Sequence, residues 1–569
     1  MSKKKQLGLV YLVTTILLGL YVFESSPNLN PLYQDGAFFW AVVVTIYVGI
    51  WGLYRAGSSI ITLVASREET KVSLPKWAMV VVAIPWIFVL VMMLYGSVFF
   101  QWKTFRDQLG EPEVKKFTNE VQAVDVDQIP IVDEALALQL AQKKLGERPA
   151  LGSQVYLRDA TIQMVDGELV WVVPLYHSGF FKWLTNLDGT PGYIVVSATN
   201  TNNVRYVEGH KIKYQPNSYL LFDVTRKVRF SDGLFTGITD YSFELDDDGQ
   251  PYWVVSTYKN RVGFSLPEAT GIILLNATTG EMQQYGMDDL PEWVDRVQPE
   301  QFVMEQINNR GRYVHGIFNF ANKDKYMASD GHNIVYNNGR CYLFTGLTSV
   351  GTDDSAIGFM MVDMVTKESI MYEMSGATEE AAQRSAEGRV QDLGYYASFP
   401  IILNIDNQPT YFMTLKDSIG LIKQYAFVSV VNFSTVGTGE SMSAALRDYE
   451  DKLLDDGLAD NTFASGSTGE SVSVTGTVQR VAGELNNGST VYYLILTEEP
   501  QRIFAASSSL SPELALTQPG DQVTLSYLSS GAAAQEVTAF DNLLFSQDGS
   551  APASQPAQEA ALPAEEPAA

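Results

Sequence analysis

The chain has 569 residues, 46% of them hydrophobic and 12% aromatic, so it has the apolar content for several folded domains and is not disordered as a whole. Its single cysteine, Cys341, excludes an intramolecular disulfide and any two-cysteine metal or redox motif. The net charge of −26 is unevenly distributed: the first 99 residues carry +3 and the remainder −29. An acidic body repels phosphate backbones, so no nucleic-acid partner is expected.

Residues 1–100 are predicted to form a three-helix transmembrane anchor in the lipid bilayer. Three apolar runs without charges, 7–23, 37–54 and 77–100, have about the length that a helix needs to cross a hydrocarbon core. A cleavable signal peptide is the competing interpretation of the first run. Against it, the run is long for a signal peptide, and the stretch "FESSPNLN" that follows lacks a small-residue cleavage motif. Because no ionisable residue lies within the runs, transport through this region is not expected.

The charges of the loops predict the orientation of the anchor. The N-terminus carries three lysines, the loop 24–36 has no Lys or Arg, and the loop 55–76 has four. The positive-inside rule then places the N-terminus in the cytoplasm, and a multi-pass cell-membrane protein results whose residues from about 101 onward are extracytoplasmic. Trp77, Tyr95 and Trp102 stand where interfacial aromatic residues are expected.

Residues 101–132 are predicted to be a juxtamembrane linker, and the region after them repeats one pattern four times. Alternating strands joined by tight turns predict hairpins at 160–176, 241–258, 333–348 and 401–416, with turns at Asp166-Gly167, Asp248-Gly249, Asn338-Gly339 and Asp406-Asn407. Further apolar strands follow at 192–207, 271–285, 358–373 and 426–439. An aromatic residue follows each turn, at Trp171, Trp253, Tyr342 and Tyr411. Their spacings of 82, 89 and 69 residues indicate small α+β modules rather than a solenoid.

Helical segments complete the modules. They precede three of the hairpins, at 133–146, 299–311 and 378–394, whereas the second module has only a weak candidate near 217–231. A closing helix begins at a Ser441 cap and ends at Gly457. The predicted module boundaries are 133–215, 216–297, 298–376 and 377–457.

A helix followed by a hairpin and a strand that ends in "(A/D)-x-T-G-E" resembles the PepSY domain family. The second module carries the resemblance best, in Tyr252-Trp253-Val254-Val255 and in Asn276-Ala277-Thr278-Thr279-Gly280-Glu281. The first module has Asn200-Thr201-Asn202 in place of Thr-Gly-Glu, the third reads Asp363-Met364-Val365-Thr366-Lys367-Glu368, and the fourth has lost most of the pattern. The resemblance implies small extracytoplasmic modules of the kind found in peptidase propeptides and bacterial envelope proteins. It implies no catalytic residues.

The C-terminal part is predicted to contain a polar linker at 458–470, a small β-barrel at 471–546 and a disordered tail at 547–569. Five short strands with a short helix near 511–516, between the third and fourth strands, look like an OB-type barrel. Across 470–546 two basic residues stand against eight acidic ones, so the basic groove of a single-strand nucleic-acid binder is missing.

No catalytic, cofactor-binding or metal-binding residue is predicted. The four histidines, His177, His210, His315 and His332, show no paired spacing for a metal. Cys341 is expected to be a small buried hydrophobic residue, and the acidic stretch "ELDDDGQ" to be a turn rather than a calcium loop. For the aromatic residues of the hairpins (Trp171, Tyr252, Trp253, Tyr342 and Tyr411) a place in the module cores is favoured over a shared binding stripe.

The sequence therefore predicts an α+β protein that is a membrane-anchored, extracytoplasmic scaffold of a bacterial envelope and not an enzyme. Its sheet edges and acidic faces would bind other envelope proteins or copies of itself. One alternative is a PepSY-type regulator or inhibitor of a secreted peptidase, with "SLPEATG" at 265–271 as a loop for the protease cleft. Another is a hydrolase with an unrecognised site, which would show as a concave cluster of histidine and carboxylates.

Overall fold

The structure is a computed structural model that describes residues 3–66, 75–117, 129–337, 339–350, 355–405, 408–456, 458, 471–486, 489–508, 510–528 and 534–545. It has mixed helix and sheet content and divides into two compact units, Met1–Asp460 and Asn461–Ala569, which are described separately. The N-terminal apolar helices and all four predicted modules belong to the first unit.

The first unit begins with three long apolar helices, α1 (Lys3–Ser25), α2 (Gln34–Ser66) and α3 (Lys76–Tyr95). Each contains a stretch long and apolar enough to cross a membrane: Lys4–Ser25, Gln34–Arg55 and Lys76–Tyr95. The prediction of one continuous run over 77–100 is wrong at its end. The chain leaves α3 at Gly96 and starts a separate helix, α4 (Val98–Arg106), after Ser97. Gly96 lies directly against the backbone of Gly263, which belongs to the second module.

The segment predicted as a juxtamembrane linker, 101–132, is partly folded into the body. It contains most of α4, which packs on a helix of the third module, and a short strand, β1 (Glu113–Lys116). Residues 118–128 of this segment lie outside the described residues.

The first two modules each contain a helical segment followed by a four-stranded antiparallel meander. The elements of the first are α5 (Glu134–Gly146), α6 (Pro149–Gly152), β2 (Val155–Tyr156), β3 (Thr161–Val165), β4 (Glu168–Pro174), β5 (Tyr176–His177), α7 (Phe180–Leu184), β6 (Thr190–Ser197) and β7 (Val204–Ile212). Those of the second are a 3-10 turn (Leu220–Phe222), α8 (Val224–Val228), a π turn (Arg229–Gly233), β8 (Gly237–Leu245), β9 (Pro251–Val262), β10 (Ser265–Asn276) and β11 (Met282–Gly286). The weak helix candidate near 217–231 is thus confirmed as three short helical turns.

The third and fourth modules repeat this plan. The third contains α9 (Glu300–Arg312), β12 (Tyr326–Ala328), β13 (Asn333–Asn337), β14 (Arg340–Ser349), β15 (Ala356–Asp363) and β16 (Ser369–Gly376). The fourth contains α10 (Glu379–Arg389), a 3-10 turn (Gln391–Leu393), β17 (Tyr396–Ala397), β18 (Ile401–Ile405), β19 (Gln408–Lys416), β20 (Ile422–Ser429), β21 (Val436–Gly439) and α11 (Met442–Asp455). The Ser441 side chain caps α11 by accepting a hydrogen bond from the Ala444 N–H, as predicted.

All four predicted hairpins are confirmed by strand pairing, of β3 with β4, β8 with β9, β13 with β14 and β18 with β19. The second turn is longer than predicted and runs from Asp246 to Gln250. There the Asp246 carboxylate accepts hydrogen bonds from the N–H groups of Asp248 (3.0 Å) and Gln250 (2.8 Å), which confirms that the acidic stretch is a turn. Asn338 and the turn 406–407 lie outside the described residues.

In three modules, the aromatic residue after the hairpin turn forms a hydrogen bond that connects the sheet to the segment leading into the helix. The Trp171 indole donates to the Val132 carbonyl (2.7 Å), and the Trp253 indole donates to the Tyr214 carbonyl (2.8 Å). In the fourth module the Tyr411 hydroxyl donates to the Ala377 carbonyl (3.1 Å). The same three residues, Val132, Tyr214 and Ala377, also donate hydrogen bonds through their N–H groups. The acceptors are the carbonyls of the residues that directly follow the third strand of each meander, Ala198, Ala277 and Val430.

The turn after the third strand is the same structure in the second and third modules. Asn276 accepts hydrogen bonds through its side chain from the N–H groups of the second and third residues after it, at 3.0 and 2.8 Å, and Asp363 does the same at 2.9 and 2.7 Å. Each turn then needs a residue with positive φ, supplied by Gly280 (77°) and Lys367 (65°). The aligned motifs at 276–281 and 363–368 are therefore structural equivalents.

A glycine within the third strand allows close approach of the fourth strand in three modules. A Cβ at Gly271 would lie 2.0 Å from the Tyr285 carbonyl oxygen, and Gly192 and Gly358 are similarly confined.

We expect Gly271→Ala to lower the free energy of unfolding by about 2 kcal/mol, because the backbone of β11 must shift. The matched control is Gly286→Ala, since Gly286 pairs with Gly271 but has open space at its Cβ position. Equal thermal midpoints of the two variants would contradict this expectation.

The modules contact one another through sheet edges that were predicted to be free for binding partners. The edge strands β3 and β8 face each other: Leu245 N–H donates to the Gln163 side chain (2.9 Å), which donates back to the Leu245 carbonyl (3.1 Å). From the third module, the Tyr336 hydroxyl lies 3.2 Å from the Ile162 carbonyl. The strand β1 adds in parallel to β16 and covers that edge. The fourth module joins the first through the ion pair of Lys416 with Asp133.

The second unit contains five strands that pair in a closed order, β22 (Ser471–Asn486), β23 (Ser489–Leu496), β24 (Ile503–Ser507), β26 (Ala534–Asn542) and β25 (Gln522–Leu528). The long strand β22 bonds to β23 with its second half and to β25 with its first half. A short 3-10 helix, Pro512–Leu516, stands between the third and fourth strands, where a helix was predicted. Most of the predicted linker at 458–470 and all of the tail at 547–569 lie outside the described residues.

Candidate functional site

A cluster of ionisable side chains lies where the first three modules meet, and we call it the polar centre. Its members come from β8, from the segment before α9, from the first turn of α9 and from the hairpin of the third module with the loop before it. They are Asp240, Glu244, Asp295, Arg296, Glu300, His332, Tyr336 and Cys341.

A chain of ion pairs runs through the polar centre. The Arg296 guanidinium lies 2.7 Å from Oε1 of Glu300, and the other carboxylate oxygen of Glu300 lies 2.7 Å from Nε2 of His332. Burial raises the pKa of Glu300, but the His332 hydrogen bond and the Arg296 charge outweigh it, so the net shift is downward. Burial alone would lower the pKa of Arg296. The charges of the neighbouring carboxylates Glu300 and Asp240 outweigh burial, so the pKa of Arg296 is raised. Both groups are therefore charged at neutral pH.

Glu244 is the most deeply buried acid of the polar centre, with 1% of its surface exposed. One carboxyl oxygen accepts a hydrogen bond from the Ser242 hydroxyl at 2.5 Å, and the other has no hydrogen-bond partner among the described residues. Burial raises the pKa of Glu244 to about 7, although Ser242 and Arg296 act in the opposite direction. This carboxyl therefore gains or loses its proton close to neutral pH.

Asp295 joins the first module to the third. Its carboxylate accepts hydrogen bonds from the Met164 N–H (3.2 Å) and the Tyr336 hydroxyl (3.1 Å). Tyr336 pairs across its hairpin with Cys341, which is 2% exposed. Burial raises the pKa of the Cys341 thiol to about 12, so it stays protonated and is no nucleophile at neutral pH. The prediction of a buried, hydrophobic Cys341 is confirmed.

Two small cavities open on the body. One of about 240 Å³ adjoins the polar centre at Asp295 and Cys341, and its wall includes Asp363, whose carboxylate lies 2.7 Å from the Arg340 guanidinium. The other, of about 190 Å³, is lined by Tyr156, His177, Gln215, Ser218 and Tyr219, among others. His177 Nε2 is buried without a hydrogen-bond partner in the described part of the chain, and burial lowers the pKa of His177.

The histidines singled out in the sequence lie in four different environments. His332 bonds to Glu300, His177 lines the smaller cavity, and the His210 ring lies 6.0 Å from that of Tyr193. His315 bonds to Asp324 at 2.7 Å on the surface. Within the described residues, no group of three or more His, Cys, Asp or Glu side chains has a geometry suited to a metal ion.

The hairpin aromatics divide between the core and half-buried positions. Trp253 and Tyr411 are 1% exposed, as the core interpretation predicts, whereas Trp171, Tyr252 and Tyr342 are half-buried. The sequence interpretation missed the polar centre itself. Its signal was the charged pair Asp295-Arg296 set between the apolar residues Val294 and Val297.

Comparisons with known proteins give little further guidance. No protein-family model matches the chain, and neither does any curated protein. Among solved structures, the chain shows a likeness to a crystal structure of a B. megaterium levansucrase variant, at 8% identity and a TM-score of 0.18, covering 76% of this chain and 96% of that one. A TM-score this low carries no argument about fold or activity.

Proposed function

We propose that this protein is a membrane-anchored, extracytoplasmic scaffold of a bacterial envelope that binds other envelope proteins or copies of itself and catalyses no reaction. The observation that carries the proposal is the packing of the interlocked modules against the apolar helices. A body held in one position on its anchor presents its binding surfaces at a fixed distance from the bilayer. The proposal includes a cytoplasmic N-terminus, PepSY-like modules and an OB-like C-terminal barrel.

The second module makes this attachment through two sets of contacts. The long hairpin of β9 and β10 reaches α2 and α3, where Phe264 at its tip packs against Ala37, Ala41 and Val89. The loop between α1 and α2 is fixed at the other side, since the Tyr33 hydroxyl donates to the Tyr258 carbonyl at 2.6 Å. This hydrogen bond and the apolar packing act together, which supports a fixed rather than a flexible anchor.

The peptidase-regulator alternative, which rests on the PepSY resemblance, loses its candidate loop. Residues 265–271 are the first part of β10, paired with β9 through Pro267 and Glu268, and not an extended loop. The Glu268 carboxylate is further held by Lys367 of the third module at 2.5 Å. A strand fixed on both sides cannot enter a protease cleft without unfolding the hairpin.

The polar centre contains a histidine and carboxylate cluster of the kind that the hydrolase alternative requires, but the geometry of this cluster does not favour catalysis. In the described part of the chain, His332 makes its hydrogen bond to Glu300 and not to a nucleophile, and the thiol of Cys341 is protonated. A general base can activate a nucleophile only when the two groups lie within hydrogen-bond distance of each other. The polar centre is better suited to holding three modules together.

One sheet edge is suited to strand addition by a partner. Among the described residues β7 pairs only with β6, and its stretch 204–208 is regular. The chain then bulges around Gly209 (φ 106°), which ends the usable edge. A partner strand would therefore bind along about five residues.

The scaffold proposal is tested by purifying the tagged full chain from its native membrane in a mild detergent after gentle crosslinking. We expect a particle larger than the monomer, made either of several copies or of this chain with the same partner in constant proportion. A parallel preparation from membranes with the untagged chain removes proteins that bind the resin. A lone monomer in both the crosslinked and the untreated sample would contradict the proposal.

A further inference from the structure

Two groups of exposed apolar side chains lie on the body beside the ends of the membrane helices. We call them the α1 patch (Phe180, Phe181, Leu184, Leu220 and Leu221) and the α3 patch (Phe99, Phe100, Phe318 and Phe320). Phe181 is 77% exposed and Phe320 is 84% exposed. Apolar groups of this size on a folded surface mark sites of binding to a protein, a ligand or a membrane.

The α1 patch is connected to the last turn of α1. The ring of Phe180 packs edge-on against Tyr219 at 5.1 Å, next to Leu220. The Leu220 carbonyl accepts a hydrogen bond from the Arg226 guanidinium (2.7 Å), and Arg226 also donates to the Phe23 carbonyl (3.0 Å). Since Lys4–Ser25 is the candidate membrane span, these contacts place the patch at the level where that span ends.

The α3 patch has the same relation to the end of α3. Its first two phenylalanines lie in the first turn of α4, which starts three residues after the span Lys76–Tyr95 ends. The indole of Trp102 lies against Gly316, and the rings of Phe105 and Tyr313 pack edge-on at 6.3 Å. These contacts bring the loop that carries the other two phenylalanines to the same helix end.

We propose that both patches insert into the interfacial region of the leaflet on the body's side of the membrane. Basic side chains accompany the apolar ones, with Lys182 in α7 and Lys103 and Arg106 beside the Trp102 ring at 5.6 Å each. Aromatic rings with neighbouring Lys and Arg are the composition of a membrane interface, although the body as a whole is acidic. The bilayer is the occupant because each patch adjoins the end of a span. This inference rests on membrane anchoring and not on the scaffold role.

The test is the depth of environment-sensitive probes in the full chain. Phe181→Cys and Phe320→Cys are each labelled with a nitrobenzoxadiazole dye and reconstituted in phosphatidylcholine nanodiscs with or without spin-labelled lipid. The native Cys341 is 2% exposed and can remain, and the unsubstituted chain gives the labelling background. The control is Asp248→Cys in the turn between β8 and β9, about 36 Å along β9 from the β9–β10 hairpin tip that packs against α2 and α3, at the usual strand rise.

We expect spin-labelled lipid to reduce the emission at both patch positions at least twofold and to leave the control unchanged. Leu220→Cys and Phe318→Cys provide a second probe of each patch if a first variant elutes differently from the parent chain. Quenching at both patches no stronger than at residue 248 would overturn the proposal. Quenching at only one of the two patches would also overturn the proposal, because the proposal requires both patches to insert into the membrane interface.

Discussion

At pH 8, Glu244→Gln is expected to raise the free energy of unfolding by about 3 kcal/mol. Burial raises the pKa of Glu244 to about 7 from an ordinary value of 4.5, and each unit corresponds to about 1.4 kcal/mol. The folded state thus holds this proton up to about pH 7, whereas the unfolded chain releases it near pH 4.5. The native chain therefore loses stability as the pH rises through this window, and glutamine, which keeps the shape without the charge, does not.

This prediction is measured as the thermal midpoint of the full chain in detergent at pH 4.5 and at pH 8. The gain in midpoint should be several degrees at pH 8 and close to zero at pH 4.5. Glu281→Gln is the matched control because Glu281 is exposed in the turn before β11. An equal gain at both pH values would show that the charge of Glu244 is not the cause.

Arg296→Met is expected to lower the free energy of unfolding by about 3 kcal/mol at pH 7. Methionine fills much of the same volume but leaves the carboxylate of Glu300 with His332 alone and removes the positive charge closest to Asp240 and Glu244. Removal of one partner of a buried ion pair costs about 3–5 kcal/mol, because the remaining charge stays in a poorly solvated place. The Glu300 side chain that remains is 31% exposed, so water compensates its charge in part and the cost falls at the lower end of this range.

A surface ion pair in the same body supplies the control for Arg296. Arg384 pairs with Glu380 on α10, and both side chains are well exposed, so Arg384→Met should cost less than 1 kcal/mol. Adding Glu300→Gln to Arg296→Met should restore part of the lost stability, since the uncompensated charge is then gone. A double variant that is less stable than Arg296→Met by the full cost of Glu300→Gln would show that the two side chains act independently.

Local patterns in the sequence identified the main repeated elements of this protein. Apolar runs without charges identify the three long apolar helices, and strand alternation with turn residues identifies the four hairpins, because these structures depend on neighbours within a few residues. The aromatic residue after each turn follows from the repeat, and a glycine recurs at 192, 271 and 358. Their purpose is visible only in the structure, where Gly271 makes room for the Tyr285 carbonyl and the Trp253 indole binds the Tyr214 carbonyl.

Contacts between modules were decided by the tertiary structure alone. Strand alternation in "YSFEL" assigns Ser242 and Glu244 to the face opposite Phe243, which the sequence would leave to solvent. The third module and the segment around Arg296 cover that face, so a residue with the pattern of a surface acid becomes a buried one with a raised pKa. In the same way, 265–271 has the composition of a loop but is held as a strand by β9. Sequence periodicity reports which side of a strand a residue occupies, whereas only the packing of distant segments determines what covers that side.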